Sequence, residues 1–345
     1  MLNPLSPALQ PAPSCAFTRI EAAVGNTPLA HIRLSFRGRP IEIFAKAEMY
    51  NLSGSIKDRM ALNILRRARA SDALRPGQPI AEATSGNAGI AIAAIGCALG
   101  HPVTIFMPDW MSIERRQLIA SYGAEVRLVS REEGGFLGSI AAAEKLGADE
   151  GYFLPRQFCN EDNCCAHASG TLPETWAQME RVGARLSGFV AGVGTGGTVM
   201  GAMRFLREKD ATIPVHPVEP ASSPTLSTGH KVGQHRMQGI SDEFIPDIVK
   251  VDQLDPIIAV EDGDAILMAQ RIGRELGLGV GISSGGNILA AVLAADMQQG
   301  ETKIATVLAD NHMKYLSTDL MREEPVKPGY LTPDITLDEL TMIPG

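Results

Sequence analysis

Between about residue 40 and residue 309 the chain alternates short β-prone runs with helical stretches, and this rhythm restricts the fold more than any other feature. Strand runs are expected at 41–48 (IEIFAKAE), 79–83 (PIAEA), 102–108 (PVTIFMP) and 124–130 (AEVRLVS). They interleave with helices at 55–68, 86–100, 113–122 and 138–146. In the helix at 55–68, Ile56, Met60, Ala61 and Ile64 share one side. The second half repeats the pattern, with helices at 172–182, 198–208, 262–276 and 286–297 and strands at 189–194, 215–220 and 303–309. Such alternation implies an α/β protein with parallel sheets covered by helices. The two runs meet near residues 150–165, so two lobes with a cleft between them are expected. Residues 1–16 are Pro-rich and read as a mobile N-terminal arm. Residues 319–345 are Pro-rich and acidic, and read as a C-terminal extension packed on the surface or on a partner subunit.

Composition removes several classes of function. With 345 residues, 45% apolar and 20% charged, the chain can bury a substantial core. The net charge is -8 and no Lys/Arg block occurs, so a nucleic-acid partner is not expected. The start, MLNPLSPALQPAPSC, lacks a basic region and is broken by prolines, unlike a secretory signal. The longest apolar stretch, 90–99, is half the ~20 residues of a membrane span. These features lead us to expect a cytoplasmic protein. The five cysteines make no disulfide framework, and the spacing in CNEDNCCAH (159–167) matches no standard zinc pattern, so no metal site is expected.

Four turns concentrate small and polar residues just before helices. Gly192-Val193-Gly194-Thr195-Gly196-Gly197-Thr198 offers backbone N–H groups at a helix start, an anion site suited to phosphate. Gly192, Gly194 and Gly197 also spell G-x-G-x-x-G, and Glu219 ends the next strand, so a nicotinamide-dependent oxidoreductase is an alternative. Asn51 to Arg59 (NLSGSIKDR) places Lys57 in a first helical turn, where an ammonium is slightly disfavoured and an amine nucleophile is suited. Glu82 to Gly89 (EATSGNAG) is a natural carboxylate clamp. Gly281 to Asn287 (GISSGGN) is a further small, polar turn. Four such turns in one chain are better explained by one shared cleft than by four unrelated loops.

In combination these motifs resemble the pyridoxal-phosphate enzymes of the cysteine synthase and cystathionine β-synthase group, of the tryptophan-synthase-β fold type. The resemblance runs from Gly25-Asn26-Thr27-Pro28-Leu29 to Tyr315-Leu316-Ser317-Thr318, with GNTPL, SGSIKDR, EATSGNAG, MSIERR, GVGTGGT, VEPASSP and GISSGGN in the family's order. It implies two parallel-sheet α/β lobes with pyridoxal 5′-phosphate in the cleft between them. The smaller, substrate-binding lobe is expected at 50–160, and the larger, cofactor-binding lobe at 17–49 plus 161–318.

By the same resemblance, Lys57 is the Schiff-base lysine and Asn87 the partner of the cofactor's 3′ oxygen. Gly194, Thr195, Gly196, Gly197 and Thr198 form the phosphate cup. Ser283 faces the pyridine nitrogen, and Thr84, Ser85, Asn87 and Gln157 bind the substrate α-carboxylate. A hydroxyl at the ring nitrogen, unlike an acid, does not hold that nitrogen protonated, which discourages transamination relative to elimination. The implied reaction is β-replacement on a β-substituted alanine through an α-aminoacrylate, with Lys57 as general base. The main expectation is L-cysteine synthesis from an activated serine and sulfide by a homodimer. The alternative is a cysteine-consuming enzyme that releases hydrogen sulfide and forms lanthionine, serine or cystathionine.

Three departures from the family pattern bear on substrate choice. Ala88 replaces a threonine in the family's TSGNTG. The common run Gly-Ile-Gly-Ala-Gly-Phe is here Gly239-Ile240-Ser241-Asp242-Glu243-Phe244, which brings carboxylates to the substrate entrance. Asp242 there can accept from an ammonium or thiol and act as a base, favouring an amino-acid second substrate over bare sulfide. The tail motif Pro-Asp-Ser-Gly-Glu-Arg-Tyr is here Ala309-Asp310-Asn311-His312-Met313-Lys314-Tyr315, and the resemblance puts Asn311 and His312 near the ring's edge.

Overall fold

A computed structural model describes residues 13–345 except Asp242 and Gln299, with side chains described from Phe17 onward. Residues 1–12, most of the expected mobile arm, lie outside the described residues. The rest of that arm opens helix α1 (Pro13–Glu21).

Two sheets organise the chain. The smaller has the order β3-β4-β5, from Ile80–Ala83, Val103–Pro108 and Glu125–Val129, all parallel. Helices α2 (Lys57–Ala70), α3 (Asn87–Ala98), α4 (Ile113–Ser121) and α5 (Gly135–Glu150) surround it. Strand β4 is buried along its whole length, as a continuous apolar run between covering helices must be.

The larger sheet has seven strands in the order β10-β1-β2-β9-β6-β7-β8. These are β1 (Leu29–Phe36), β2 (Arg39–Ala47), β6 (Gly188–Gly192), β7 (Val215–Pro220), β8 (Ile258–Val260), β9 (Lys303–Leu308) and β10 (Ile335–Ile343). Its helices are α6 (Glu161–Ala166), α7 (Leu172–Arg181), α8 (Gly197–Lys209), the single turn α9 (Thr225–Thr228), α10 (Asp262–Leu276) and α11 (Ile282–Asp296). A π-helical turn, His167–Thr171, joins α6 to α7. Helix α11 is buried on nearly every side, which its Ala- and Gly-rich sequence permits.

The α/β class with parallel sheets holds, with one correction. Pairing is parallel from β2 through β9, β6 and β7 to β8, but β1 and β10 are antiparallel additions. Strand β1 shows period-2 burial, with Ile32, Leu34 and Phe36 inside and Arg33 outside. It turns into β2 through Arg37 and Gly38, both at positive φ, the turn that matches strand twist. Strand β10 is one of the sheet's two edge strands, and most of its side chains face solvent, which is why the terminal stretch lacks a readable apolar pattern. Among the described residues, no helix is long and apolar enough to cross a membrane.

Candidate active site

The four polar turns meet at one cleft; those at 82–89 and 192–198 follow parallel strands β3 and β6 of the two sheets, the one at 51–59 follows β2 through a 3-10 turn, and the one at 281–287 joins α10 to α11. Lys57, Thr84, Ser85, Asn87, Gln157, Thr195, Thr198 and Ser283 all line it, and its empty volume is about 660 Å³ including the open mouth. Four helices of 12 to 15 residues begin at this cleft: α2 at Lys57, α3 at Asn87, α8 at Gly197 and α11 at Ile282. Their N-terminal partial charges add, so the cleft attracts anions and disfavours an ammonium. Lys57, the first residue of α2, is half-buried and is the one charged side chain among the described lining residues.

The glycine turn before α8 is closed from behind by tight packing. A Cβ on Gly194 would strike the Gly239 carbonyl oxygen, one on Gly196 the Val249 side chain, and one on Gly197 the Asn163 carboxamide. Gly196 also has φ +86°, which L side chains rarely adopt. Asn163, which no sequence motif singles out, donates through Nδ2 to Gln157 O (2.9 Å) and Thr195 Oγ1 (3.0 Å), so one amide braces two parts of the site. Asn287 likewise accepts from Gly192 N (2.8 Å) and donates to Val307 O (2.8 Å).

On the opposite wall, Thr84 Oγ1 accepts from Gly86 N (3.0 Å), and Gln157 Nε2 donates to Ala83 O (2.8 Å). Buried Glu82 lies beneath them and accepts from Ala83 N (2.9 Å) and Gln157 N (3.3 Å). Burial pushes its carboxyl up to about 7 against these bonds. Asn87 donates from Nδ2 to Asp310 Oδ2 (2.7 Å) and accepts at Oδ1 from Lys314 Nζ (3.0 Å). Asn311 and His312 do not line the cleft. Asn311 caps a short 3-10 turn (Met313 N, 3.1 Å), and the exposed His312 packs over Gly279. Their neighbours Asp310 and Lys314 do not line it either, but both are buried behind it and bond Asn87. Asp242 lies outside the described residues, although Gln238, Gly239 and Ile240 of the same loop line the cleft. The nicotinamide alternative loses its acid: Glu219 is buried, accepts from Leu226 N (2.8 Å) and Ser227 Oγ, and so anchors α9.

The residues present fit a phosphorylated, carbonyl-bearing cofactor. The lining has one lysine, amides and hydroxyls beside helix N-termini, and no carboxylate among its described residues. The buried Gln238 Oε1 in the same wall has no hydrogen-bond donor among the described residues. Such a fold and cleft define an α/β enzyme that grips an anionic cofactor with helix N-termini and offers it a lysine. The chain belongs to the pyridoxal-phosphate dependent enzyme family, whose model matches residues 20–310.

Cysteine synthase from Staphylococcus aureus is 39% identical over 302 residues, covering 87% of this chain and 96% of that protein. The crystal structure of a hydrogen sulfide-producing enzyme from Fusobacterium nucleatum is 49% identical with a TM-score of 0.93, covering 96% of this chain and all of that one. A variant of that enzyme, described as complexed with an α-aminoacrylate intermediate, is 51% identical with a TM-score of 0.91 over 94% of this chain and 97% of that one.

Proposed function

We propose that this chain catalyses pyridoxal-phosphate-dependent β-replacement on a β-substituted alanine, with L-cysteine synthesis from an activated serine and sulfide as the main reaction. The observation that carries this reading is Lys57, a half-buried amine at a helix start in a cleft with no described carboxylate. Bound there, the cofactor supplies electron withdrawal from the substrate α-carbon. Lys57 Nζ carries the cofactor and then takes the α-proton. Main-chain N–H groups of 194–198, with the Thr195 and Thr198 hydroxyls, hold its phosphate, and Ser283 faces its ring nitrogen. Thr84, Ser85, Asn87 and Gln157 orient the substrate carboxylate. In this reading the smaller sheet belongs to the substrate-binding lobe, 50–160. The larger sheet belongs to the cofactor lobe, 17–49 plus 161–318, and the extension at 319–345 adds its edge strand. We assign the protein to the cytoplasm as a homodimer, and light scattering tests the dimer.

A second reading is favoured by a specific observation. Identity to the hydrogen sulfide-producing enzyme, at 49%, exceeds the 39% to cysteine synthase, and this chain places Ser241-Asp242 where the common synthase run has Gly-Ala. Ser241 has a φ of 54°, donates from its N to Val193 O (2.8 Å) and from Oγ to Ser223 O (2.9 Å), and so ties this loop to the phosphate turn. In this second reading cysteine is consumed, Asp242 serves as base or ammonium acceptor, and hydrogen sulfide leaves with formation of lanthionine, serine or cystathionine. Mass spectrometry of products from serine, O-acetylserine, O-phosphoserine and cysteine, each with sulfide and with thiols, separates the two. Purified protein with no visible absorption and no response to added pyridoxal phosphate would sink both.

A further inference from the structure

Residues 309–315 bind three of the site's loops together. Ala309 O accepts from Ile56 N (2.9 Å) beside Lys57, Ala309 N donates to Ser284 Oγ (3.0 Å), and Asp310 O accepts from Gly281 N (3.1 Å). From this segment two buried side chains of opposite charge grip Asn87. Lys314, 3% exposed, donates from Nζ to Asn87 Oδ1 (3.0 Å) and to Gly54 O (3.1 Å). Asp310, wholly buried, accepts at Oδ2 from Asn87 Nδ2 (2.7 Å) and from Tyr315 OH (2.8 Å). The other charged groups nearby are Asp58, bonded to Ser53 N (2.8 Å) and Oγ (2.5 Å), and Arg115, which donates to Ser85 O (3.2 Å).

An asparagine amide has two orientations, exchanged by a half-turn. Here the exchange would set an NH₂ against an ammonium and a carbonyl oxygen against a carboxylate, turning two attractions into two repulsions. The amide is therefore locked with Oδ1 toward the ammonium and Nδ2 toward the carboxylate: one N–H is spent on Asp310 and the other remains for the cleft. We propose that Lys314 and Asp310 are positioning residues that hold Asn87 as a hydrogen-bond donor to an anionic oxygen on the cofactor ring. This rests on the cofactor of the proposed function and on Asn87 as the partner of its 3′ oxygen, the role the family resemblance implies, and adds the device that fixes the amide's polarity. A donor at that point favours the deprotonated ring oxygen over the protonated one, and so sets the balance between the cofactor's visible and near-ultraviolet absorption bands.

The test uses the full chain, with Lys314→Met, Asn87→Ala and the double variant, read by equilibrium dialysis against pyridoxal phosphate and by absorption spectra. Lys314→Met should raise the cofactor Kd about tenfold, the size expected for one charge-assisted contact, and shift intensity from the visible to the near-ultraviolet band. In the Asn87→Ala background the same substitution should change neither, because its effect passes through that amide. Lys314→Gln keeps a donor for Asn87 Oδ1 without the charge and should fall between wild type and Lys314→Met, which keeps the idea testable should the methionine variant fail to fold. Equal effects of Lys314→Met with and without Asn87 would mark a merely structural role and overturn the proposal, as would an unchanged band ratio in both Lys314 variants. Those results leave wild-type cofactor binding intact. A wild-type chain that binds no cofactor overturns the functional reading as well.

Discussion

Replacing Glu174 with glutamine probes the buried ion cluster that anchors the helix bearing Lys57. Glu174, on α7, contacts Lys46 Nζ (2.9 Å) and accepts from both terminal nitrogens of Arg59 (2.8 and 2.7 Å). Arg59 in turn grips Glu48 (2.6 and 2.8 Å), and Lys46 donates to Thr27 O (2.7 Å) and Gln178 Oε1 (2.6 Å). Two cations face two carboxylates, and three of the four side chains are at most 5% exposed. Burial alone pushes the Glu174 carboxyl up, but bonds and charge from Arg59 and Lys46 outweigh it and bring it down to about 2. Against an ordinary value near 4.5, that corresponds to roughly 3 kcal/mol, within the ~3–5 kcal/mol for breaking a buried pair. For a chain of this length, with an unfolding entropy of about 0.7 kcal/mol/K, Glu174→Gln should lower Tm by roughly 4 °C.

The pH dependence has a definite sign. The folded-state value lies below the unfolded one, so the stabilisation is complete above about 4.5 and is lost as pH falls toward about 2. Glutamine does not titrate, so the gap between wild type and variant, read from urea midpoints, should shrink by about half between pH 7 and pH 3. An unchanged midpoint at pH 7, or a gap that stays constant with pH, would refute the argument that this carboxylate holds the cluster.

Lys57→Ala should still take up cofactor, lose its fixation by borohydride, and turn over slower by several powers of ten; near-normal turnover would remove Lys57 from its role. Gly197→Ala drives a methyl into the Asn163 carboxamide, which must then release Gln157 O and Thr195 Oγ1. Equilibrium dialysis should show cofactor Kd raised about tenfold or more, with native secondary structure by circular dichroism. Asp242→Ala should depress cysteine-dependent sulfide release more than O-acetylserine-dependent synthesis, and equal losses in both assays would end the argument for cysteine selectivity.

Much of the architecture was legible locally. Strands β3, β4, β6, β7 and β9 and the helices beside them carry apolar runs or periodic faces bounded by turn residues, and these patterns are properties of contiguous sequence. The polar turns were legible as well, because a glycine- and hydroxyl-rich stretch between a strand and a helix is itself a description of an anion-binding helix start. What escaped were β1 and β10 at one end of the larger sheet and the three-residue β8 at the other. In β10 only Ile335 and Ile343 are buried, and a strand whose side chains mostly meet water shows no alternation.

The residues Lys57, Asn87, Ser283 and the 194–198 turn could be named from sequence because each stands in a motif whose local conformation fixes its place at a helix start. Asp310 and Lys314 could not be separated from Asn311 and His312 in the same way. Over the short stretch 310–314, adjacent side chains differ in burial, and only packing against Asn87, Gly54 and Tyr315 decides which pair goes inward. Local order, then, was written in the chain itself. The convergence of four helix N-termini on one lysine, and the charge pair that sets an amide's polarity, arise from contacts spanning up to 260 residues, which no local pattern encodes.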